Sequence, residues 1–267
     1  IENDKLELFH TLKGHGMGVV SIDVSPDGHT IASASLDSTL IIWELVSGLK
    51  VHEIEKKATN VWKVVFSPDG MQVATGGHTG KVVLYDVAKG KEVRMLDTRG
   101  KFAMSIAWSP NGKYIAAGSV DGKVYVFDVA QGKLIHTVDG HTDSVRNLVF
   151  SYNSKLLATA SHDGRVNVYD TASGNLQKSV DHKGWVVCVC FTRDGYRIAT
   201  GTVDGTVRVI HLAEMNVLHA FHEHNNVAWS VQFNYDGNKL ISVSKDNTIN
   251  IYECPIIKNN NEKKIKT

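Results

Sequence analysis

Asp163-Gly164-Arg165-Val166-Asn167-Val168-Tyr169-Asp170 reads as a tight turn feeding a β-strand that ends on an aromatic residue and an acid. Asp-Gly is a strong signal for a hairpin turn, because glycine accepts positive φ at no steric cost. The turn position recurs at Asp37, Thr79, Asp121, Asp163, Asp204 and Asp246, in steps of 42, 42, 42, 41 and 42 residues. Six positions further on stand Trp43, Tyr85, Phe127, Tyr169, Ile210 and Tyr252, each followed by a polar residue. Upstream, Ser25-Pro26-Asp27-Gly28 returns as Ser67-Pro68-Asp69-Gly70 and Ser109-Pro110-Asn111-Gly112. It decays to Ser151-Tyr152-Asn153-Ser154, Thr192-Arg193-Asp194-Gly195 and Asn234-Tyr235-Asp236-Gly237.

Between these turns lie short runs of branched and aromatic residues, such as 61–66, 73–76 and 81–85, which read as strands joined by hairpins. No segment keeps a helical period over three turns. Four strands per repeat is the content of a propeller blade. The period, with its Gly-His and Trp-Asp signatures, resembles the WD-repeat family from residue 1 to about 254. That resemblance implies an all-β fold, a WD-repeat β-propeller of four-stranded antiparallel blades over residues 1–257. A polar tail, 258–267, is expected to be disordered. Residues 7–12 read as the outer strand of a preceding blade. Either a repeat precedes them, which is the expectation here, or six blades close by pairing this strand with the last repeat. The chain also opens on Ile1 rather than Met, so a preceding segment is expected.

Lys and Arg total 29 against 28 Asp and Glu, a net charge of +1. Such a chain has no overall field to attract nucleic acid or an acidic membrane. No run of about 18 apolar residues is present, so no spanning helix is expected, and no signal peptide is visible. Three cysteines, Cys188, Cys190 and Cys254, make no disulfide framework, and no Asn-x-Ser/Thr sequon occurs. Both facts point to a reducing, intracellular setting.

His15, Ser33, Asp37 and Trp43 imitate a catalytic triad. The same offsets give His141, Thr159, Asp163 and Tyr169; His182, Thr200, Asp204 and Ile210; and His224, Ser242, Asp246 and Tyr252. Four copies at repeat spacing describe a structural device, since a catalytic site is one place. The WD-repeat resemblance implies a hydrogen-bonded chain that ties the loop before a blade to its inner hairpin, with His and Ser supplying a buried Asp with donors. In two repeats Lys57 and Arg99 replace the His, Thr79 replaces one Asp, and Ala117 replaces one Ser/Thr, so those blades must be fastened differently.

Other motifs carry less. Residues 76–81 look like a phosphate loop, but the loop is one residue short and Val82 stands where Ser or Thr would hold magnesium. Cys188 and Cys190 alternate along a strand and lack two further close ligands. No cofactor or metal is expected.

In the resembled fold the innermost strand of each blade begins at the mouth of a central channel. Counting from the His position puts Gly18, Asn60, Phe102, Ser144, Trp185 and Val227 just before that strand. Two residues on come Val20, Trp62, Met104, Arg146, Val187 and Trp229; His78 and His162, before the turn position, join them. The expected partner-binding set is Asn60, Trp62, His78, Phe102, Met104, Arg146, His162, Trp185 and Trp229. Trp and Arg dominate interface energetics, whereas the competing reading makes the tryptophans ordinary core. Residues 95–102, 105–110, 6–23 and 251–256 resemble the WD-repeat subunits of the superkiller complex. This implies a seven-bladed parent and a monomeric, non-catalytic scaffold in cytoplasm and nucleus. Its partners would be a helicase and a helical-repeat protein that feed RNA to the exosome, and in animals also the polymerase-associated-factor complex. A histone-tail or other peptide reader is the alternative, though no Asp or Glu stands at the ring positions. A propeller hydrolase would need one non-repeating cluster of reactive residues, and none is seen. No direct nucleic-acid binding is expected.

Overall fold

The computed structural model describes residues 7–55, 61–99 and 101–255; Asn60, Lys57 and the tail beyond 255 lie outside the described residues. Two compact units, Ile1–Leu148 and Val149–Thr267, divide the chain. In the first unit one sheet holds β1 (Val19–Val24), β2 (Thr30–Ser35), β3 (Thr39–Glu44) and β4 (Lys50–Glu55). The second holds β5 (Val61–Phe66), β6 (Gln72–Gly77), β7 (Lys81–Asp86) and β8 (Lys91–Asp97). The third holds β9 (Ala103–Trp108), β10 (Tyr114–Ser119), β11 (Lys123–Asp128) and β12 (Lys133–Asp139). The unit boundary falls inside β13 (Val145–Phe150), which leads the fourth sheet with β14 (Leu156–Ser161), β15 (Arg165–Asp170) and β16 (Leu176–Asp181). The second unit continues with β17 (Val186–Phe191), β18 (Arg197–Thr202), β19 (Val207–His211) and β20 (Asn216–Phe221), then β21 (Ala228–Phe233), β22 (Lys239–Ser244) and β23 (Ile249–Glu253). Among the described residues every regular element is a strand. Each sheet is one repeat, an antiparallel meander of the blade type; five have four strands and the sixth has three.

The strands differ because their faces differ. Val82-Val83-Leu84-Tyr85 in β7 is buried on both faces and reads as a continuous apolar run. By contrast β12, at a sheet edge, alternates exposed and partly buried positions with period two. Within the first unit, Ala32, Ala34, Leu40 and Ile42 of one sheet pack in one apolar cluster with Val61, Val64, Phe66 and Val73 of the next. Small residues on the second strand let the neighbouring sheet come close. Hydrogen bonds reinforce this contact: the amide of Phe66 donates to Asp23 Oδ2 at 2.6 Å and that of Val64 to Ser21 Oγ at 3.3 Å. In the second unit Val207 and Val209 share a cluster with Ala228, Val231 and Phe233.

Residues 7–12, expected as an outer strand, form no strand. Among the described residues no strand pairs with this segment, and without a ladder for its N–H and C=O groups its apolar pattern does not suffice. The segment still makes an outer strand's side-chain contact: His10 Nε2 lies 2.8 Å from the carbonyl of Val46, as His52 Nε2 lies 2.9 Å from that of Ala88, each across 36 residues. Val19, Ile22 and Val24 on β1 are 52%, 64% and 46% exposed, whereas their repeat equivalents Val61, Val64 and Phe66 are 6% exposed or less.

The turn glycines show how closely the repeats fit. Gly112 has φ +75° and open space where a Cβ would stand, while at Gly122, φ +80°, a Cβ would lie 2.3 Å from the carbonyl oxygen of His141. Gly112→Ala should therefore cost only the left-handed strain, about 1–2 kcal/mol. Gly122→Ala should add about 1–3 kcal/mol from overpacking. Urea unfolding of both variants measures the difference, and equal costs would contradict the tight seat of the Asp121-Gly122 turn.

Candidate functional site

Three of the candidate partner-binding residues, Trp62, Met104 and Trp229, share one backbone irregularity. The ladder between the innermost strand and the next slips by one residue between Val61 and Lys63, between Ala103 and Ser105, between Val186 and Cys188, and between Ala228 and Ser230. Trp62, Met104, Val187 and Trp229 are thus the extra residues of β-bulges. A bulge takes a side chain out of the alternation of the strand and re-aims it. The residue before the strand is held by its backbone: the amide of Val120 donates to the carbonyl of Phe102 at 3.2 Å, and that of Val203 to the carbonyl of Trp185 at 2.9 Å. The side chains of Phe102 and Trp185 are therefore projected from a fixed main chain.

In the first unit Trp62, His78 and Phe102 form an aromatic cluster. His78 stacks on Phe102 with ring centroids 4.0 Å apart and 15° between planes, and Trp62 meets both rings edge-on at 6.5 Å and 5.8 Å. His78 is exposed; Trp62, Phe102 and Met104 are half-buried. Arg146 is half-buried too, and desolvation pulls its guanidinium below the ordinary arginine pKa. Next to Trp62, burial lowers the Lys63 ammonium while the charge of Asp23 opposes the fall; burial likewise raises Asp23 against hydrogen bonds from the amides of Phe66 and Val24. In the second unit His162 stacks on Trp185 at 4.3 Å and 14°, repeating the His78–Phe102 pair at the equivalent place two repeats later. Trp185 and Trp229 are 50% and 48% exposed, so neither is core. Asn60 lies outside the described residues. The stacking of each His on the aromatic residue of the following repeat was not legible in the sequence, since the rings are 24 and 23 positions apart.

The triad-like residues are placed as follows. His15 Nε2 lies 2.7 Å from Ser33 Oγ, which also accepts from Trp43 Nε1 at 2.8 Å. His15 Nδ1 is 2.8 Å from Thr39 Oγ1 and 3.2 Å from Asp37 Oδ2. Asp37 also accepts from the amides of Gly16 and Thr39 and from the Thr39 hydroxyl. Desolvation would raise its pKa, but the hydrogen bonds of Thr39, Gly16 and Ser35 hold it well below the usual carboxylate range. The sixth sheet repeats this: His224 meets Ser242 Oγ at 2.6 Å, Thr248 Oγ1 at 2.9 Å and Asp246 Oδ2 at 3.1 Å, and Tyr252 OH completes the line at 3.3 Å from Ser242 Oγ. Ser33 and Ser242 are buried, which is the wrong setting for a nucleophile that must meet a substrate. In the fourth repeat His141, Thr159 and Tyr169 are buried, and Tyr169 OH accepts from Asn167 Nδ2 at 3.0 Å; the Asp163 carboxylate accepts from the Arg165 amide.

The fifth repeat departs from the expected chain. His182 Nε2 reaches Thr200 Oγ1 at 2.9 Å, but Asp204 accepts from Thr202 and from the Thr206 amide instead of closing on the His. Ile210 stands at the aromatic position, fully buried, and brings no donor. Burial, and then the charge of Arg208, bring the His182 pKa down to about 4. Cys188, Cys190 and Cys254 lie in one buried apolar cluster, where burial raises all three thiols, Cys190 to about 12.

A family model described as the IFT122 first β-propeller matches residues 1–253. The chain is 35% identical over 62 residues to WD repeat-containing protein SL1-17 of Schistosoma mansoni, covering 23% of this chain and 21% of that protein. It is 38% identical over 65 residues to the COMPASS component SWD3 of Saccharomyces cerevisiae, covering 24% and 20%. With Protein HIRA of Oryza sativa subsp. japonica the identity is 45% over 49 residues, 18% of this chain and 5% of that protein. The matched stretches therefore span about a fifth or less of each of these relatives.

Two outcomes test the hydrogen-bonded chains. Asp37→Ala leaves the Gly16 and Thr39 amides without their acceptor and takes one partner from His15, and should cost about 1–3 kcal/mol; an unchanged melting temperature would show that these contacts hold nothing. The folded pKa of His182, about 4, lies below its unfolded value, which is about 6.5. As pH falls the unfolded chain binds the proton first, so stability is full above pH ~6.5 and is lost from there towards pH ~4. His182→Gln should flatten that loss by at most one proton, about 1.4 kcal/mol per pH unit, in urea titrations at pH 7 and 5.

Proposed function

Because the chain belongs to the family of the IFT122 first β-propeller and is built of WD repeats, we propose that it is a non-catalytic scaffold that binds segments of partner proteins through the aromatic residues at the starts of its innermost strands. The observation that carries this reading is the repeated His–aromatic stack, His78 on Phe102 with Trp62 against both rings in the first unit, and His162 on Trp185 in the second, where Trp229 occupies the same bulge position as Trp62. Rings held on a rigid backbone need little ordering when a partner binds, which favours affinity. Exposed aromatic groups of this kind mark interaction sites on folded proteins.

The finer reading makes the chain a subunit of a large hetero-complex whose partners are helical-repeat and helicase proteins, as in the superkiller complex, with a second place in the polymerase-associated-factor complex. Its support is the resemblance of residues 95–102, 105–110 and 251–256. One relative is itself named a COMPASS component, which agrees with a subunit role in a multiprotein assembly. The net charge of +1 gives little electrostatic footprint for nucleic acid.

Trp185→Ala and Trp229→Ala should each weaken partner binding by at least about tenfold, from a loss of about 2 kcal/mol typical of aromatic anchors. Their melting temperatures should move little, since each ring is half in solvent. The partner is taken from native extract by affinity capture, identified by mass spectrometry, and titrated against purified variants. Unchanged affinity in both variants would sink the proposal; a Trp→Ala loss of about 3–5 kcal/mol in stability would return the rings to the core.

A further inference from the structure

The turn after each innermost strand reads Ser-Pro-Asp-Gly or a close relative in the first three repeats, and its second residue there is Pro26, Pro68 or Pro110. In the second unit the same position is occupied by Tyr152, Arg193 and Tyr235. What the sequence presents as decay of a turn motif is, in space, a ladder. The guanidinium carbon of Arg193 lies over the ring of Tyr235 at 4.0 Å from its centroid and over that of Tyr152 at 5.4 Å. Arg193 is exposed, as are Tyr152 at 51% and Tyr235 at 70%. The ladder lies at the far end of the innermost strands from Trp185 and Trp229, so it is not part of the surface described above.

The turns themselves do not need these three side chains. Ser151 Oγ bonds Asn153 Oδ1 and accepts the Leu156 amide; Thr192 Oγ1 bonds Asp194 Oδ1 and accepts the Arg197 amide; Asn234 Oδ1 accepts the Lys239 amide. Each turn is therefore closed by its first and third or later residues, and the second is free to vary. Three neighbouring repeats place there two tyrosines and an arginine, two of the residue types that dominate binding hot spots. The guanidinium carbon sits over both rings, which holds the planar group in place for a planar acceptor. A stacked arginine is already oriented for bidentate pairing. Among the described residues no ion pair of Arg193 is present; Asp194, its neighbour, is engaged by Thr192 and the Tyr196 amide.

We propose that Tyr152, Arg193 and Tyr235 form a second recognition surface, which takes a carboxylate-bearing segment of a protein partner. An Asp or Glu of the segment pairs with the edge of Arg193, and its flanking apolar groups rest on the two tyrosine rings. A nucleic-acid backbone is the poorer fit, because it calls for several converging cations. Here a single cation, Arg193, stands over the two rings.

Selection of a phage-displayed random dodecapeptide pool on the whole chain tests this, with Arg193→Ala, Arg193→Lys, Tyr235→Ala and Trp229→Ala chains in parallel. The expected result is an enriched set with Asp or Glu at one fixed position. Those peptides should bind Arg193→Ala and Tyr235→Ala at least tenfold more weakly, lose part of that affinity with Arg193→Lys, and bind Trp229→Ala as they bind the unaltered chain. The proposal is overturned by enriched peptides that lack a fixed acid, by acid-bearing peptides that bind Arg193→Ala equally, by no enrichment at all, or by a twelve-residue oligouridine that outcompetes the best peptide. Melting curves of the Arg193 variants should match the unaltered chain, as the side chain is exposed.

Discussion

A four-stranded sheet with apolar side chains on both faces has to be covered on both. That demand organises this protein. It explains why the middle strands are unbroken apolar runs and why the second strands carry small residues such as Ala32, Ala34, Gly76 and Gly118, against which the next sheet can close. A Cβ on Gly118 would stand 2.6 Å from the Val145 side chain, so the spacing between repeats is set by the absence of a methyl group. Where a face is left open, as on β1, the same residue types become an exposed apolar surface.

Rigidity of the sheets is what makes their ends useful. The innermost strand begins with a clasp to the preceding residue and a bulge one residue in, and together these turn a side chain away from the sheet without disturbing the packing beneath. The turn at the opposite end is closed by its own hydrogen bonds and leaves one side chain unused. Both ends thus carry positions that the fold holds still but does not consume. In this chain such positions are filled by Trp, Phe, Arg and Tyr.

The buried His–Ser–Asp chains serve the same end by another route. They tie the loop before an innermost strand to the hairpin beside it, through His15 in the first repeat and His224 in the sixth, with the carboxylates of Asp37 and Asp246 collecting backbone amides from that loop. A hydroxyl buried beneath a histidine and an indole is a joint, since no substrate could reach it. The fifth repeat shows that the joint can be relaxed: Asp204 turns to its own threonines, and a half-buried His182 keeps Thr200 without closing on the carboxylate.

The sequence alone determined the repeat, its six turns and the all-β blade, because turn chemistry and strand pattern are local and were written six times over. Register along a repeat also put Trp62, Phe102, Trp185 and Trp229 at the start of a first strand and His78 and His162 just after a second one. The sequence did not show that His78 lies on Phe102 and His162 on Trp185, or that Arg193 lies between two tyrosines, because those neighbours come from different repeats and meet only when sheets pack. Nor could it tell that residues 7–12 would form no strand: their pattern and the His10 contact suit an outer strand, but a strand exists only where another pairs with it. Local chemistry chose the elements; contact between repeats, invisible to spacing, decided which side chains meet.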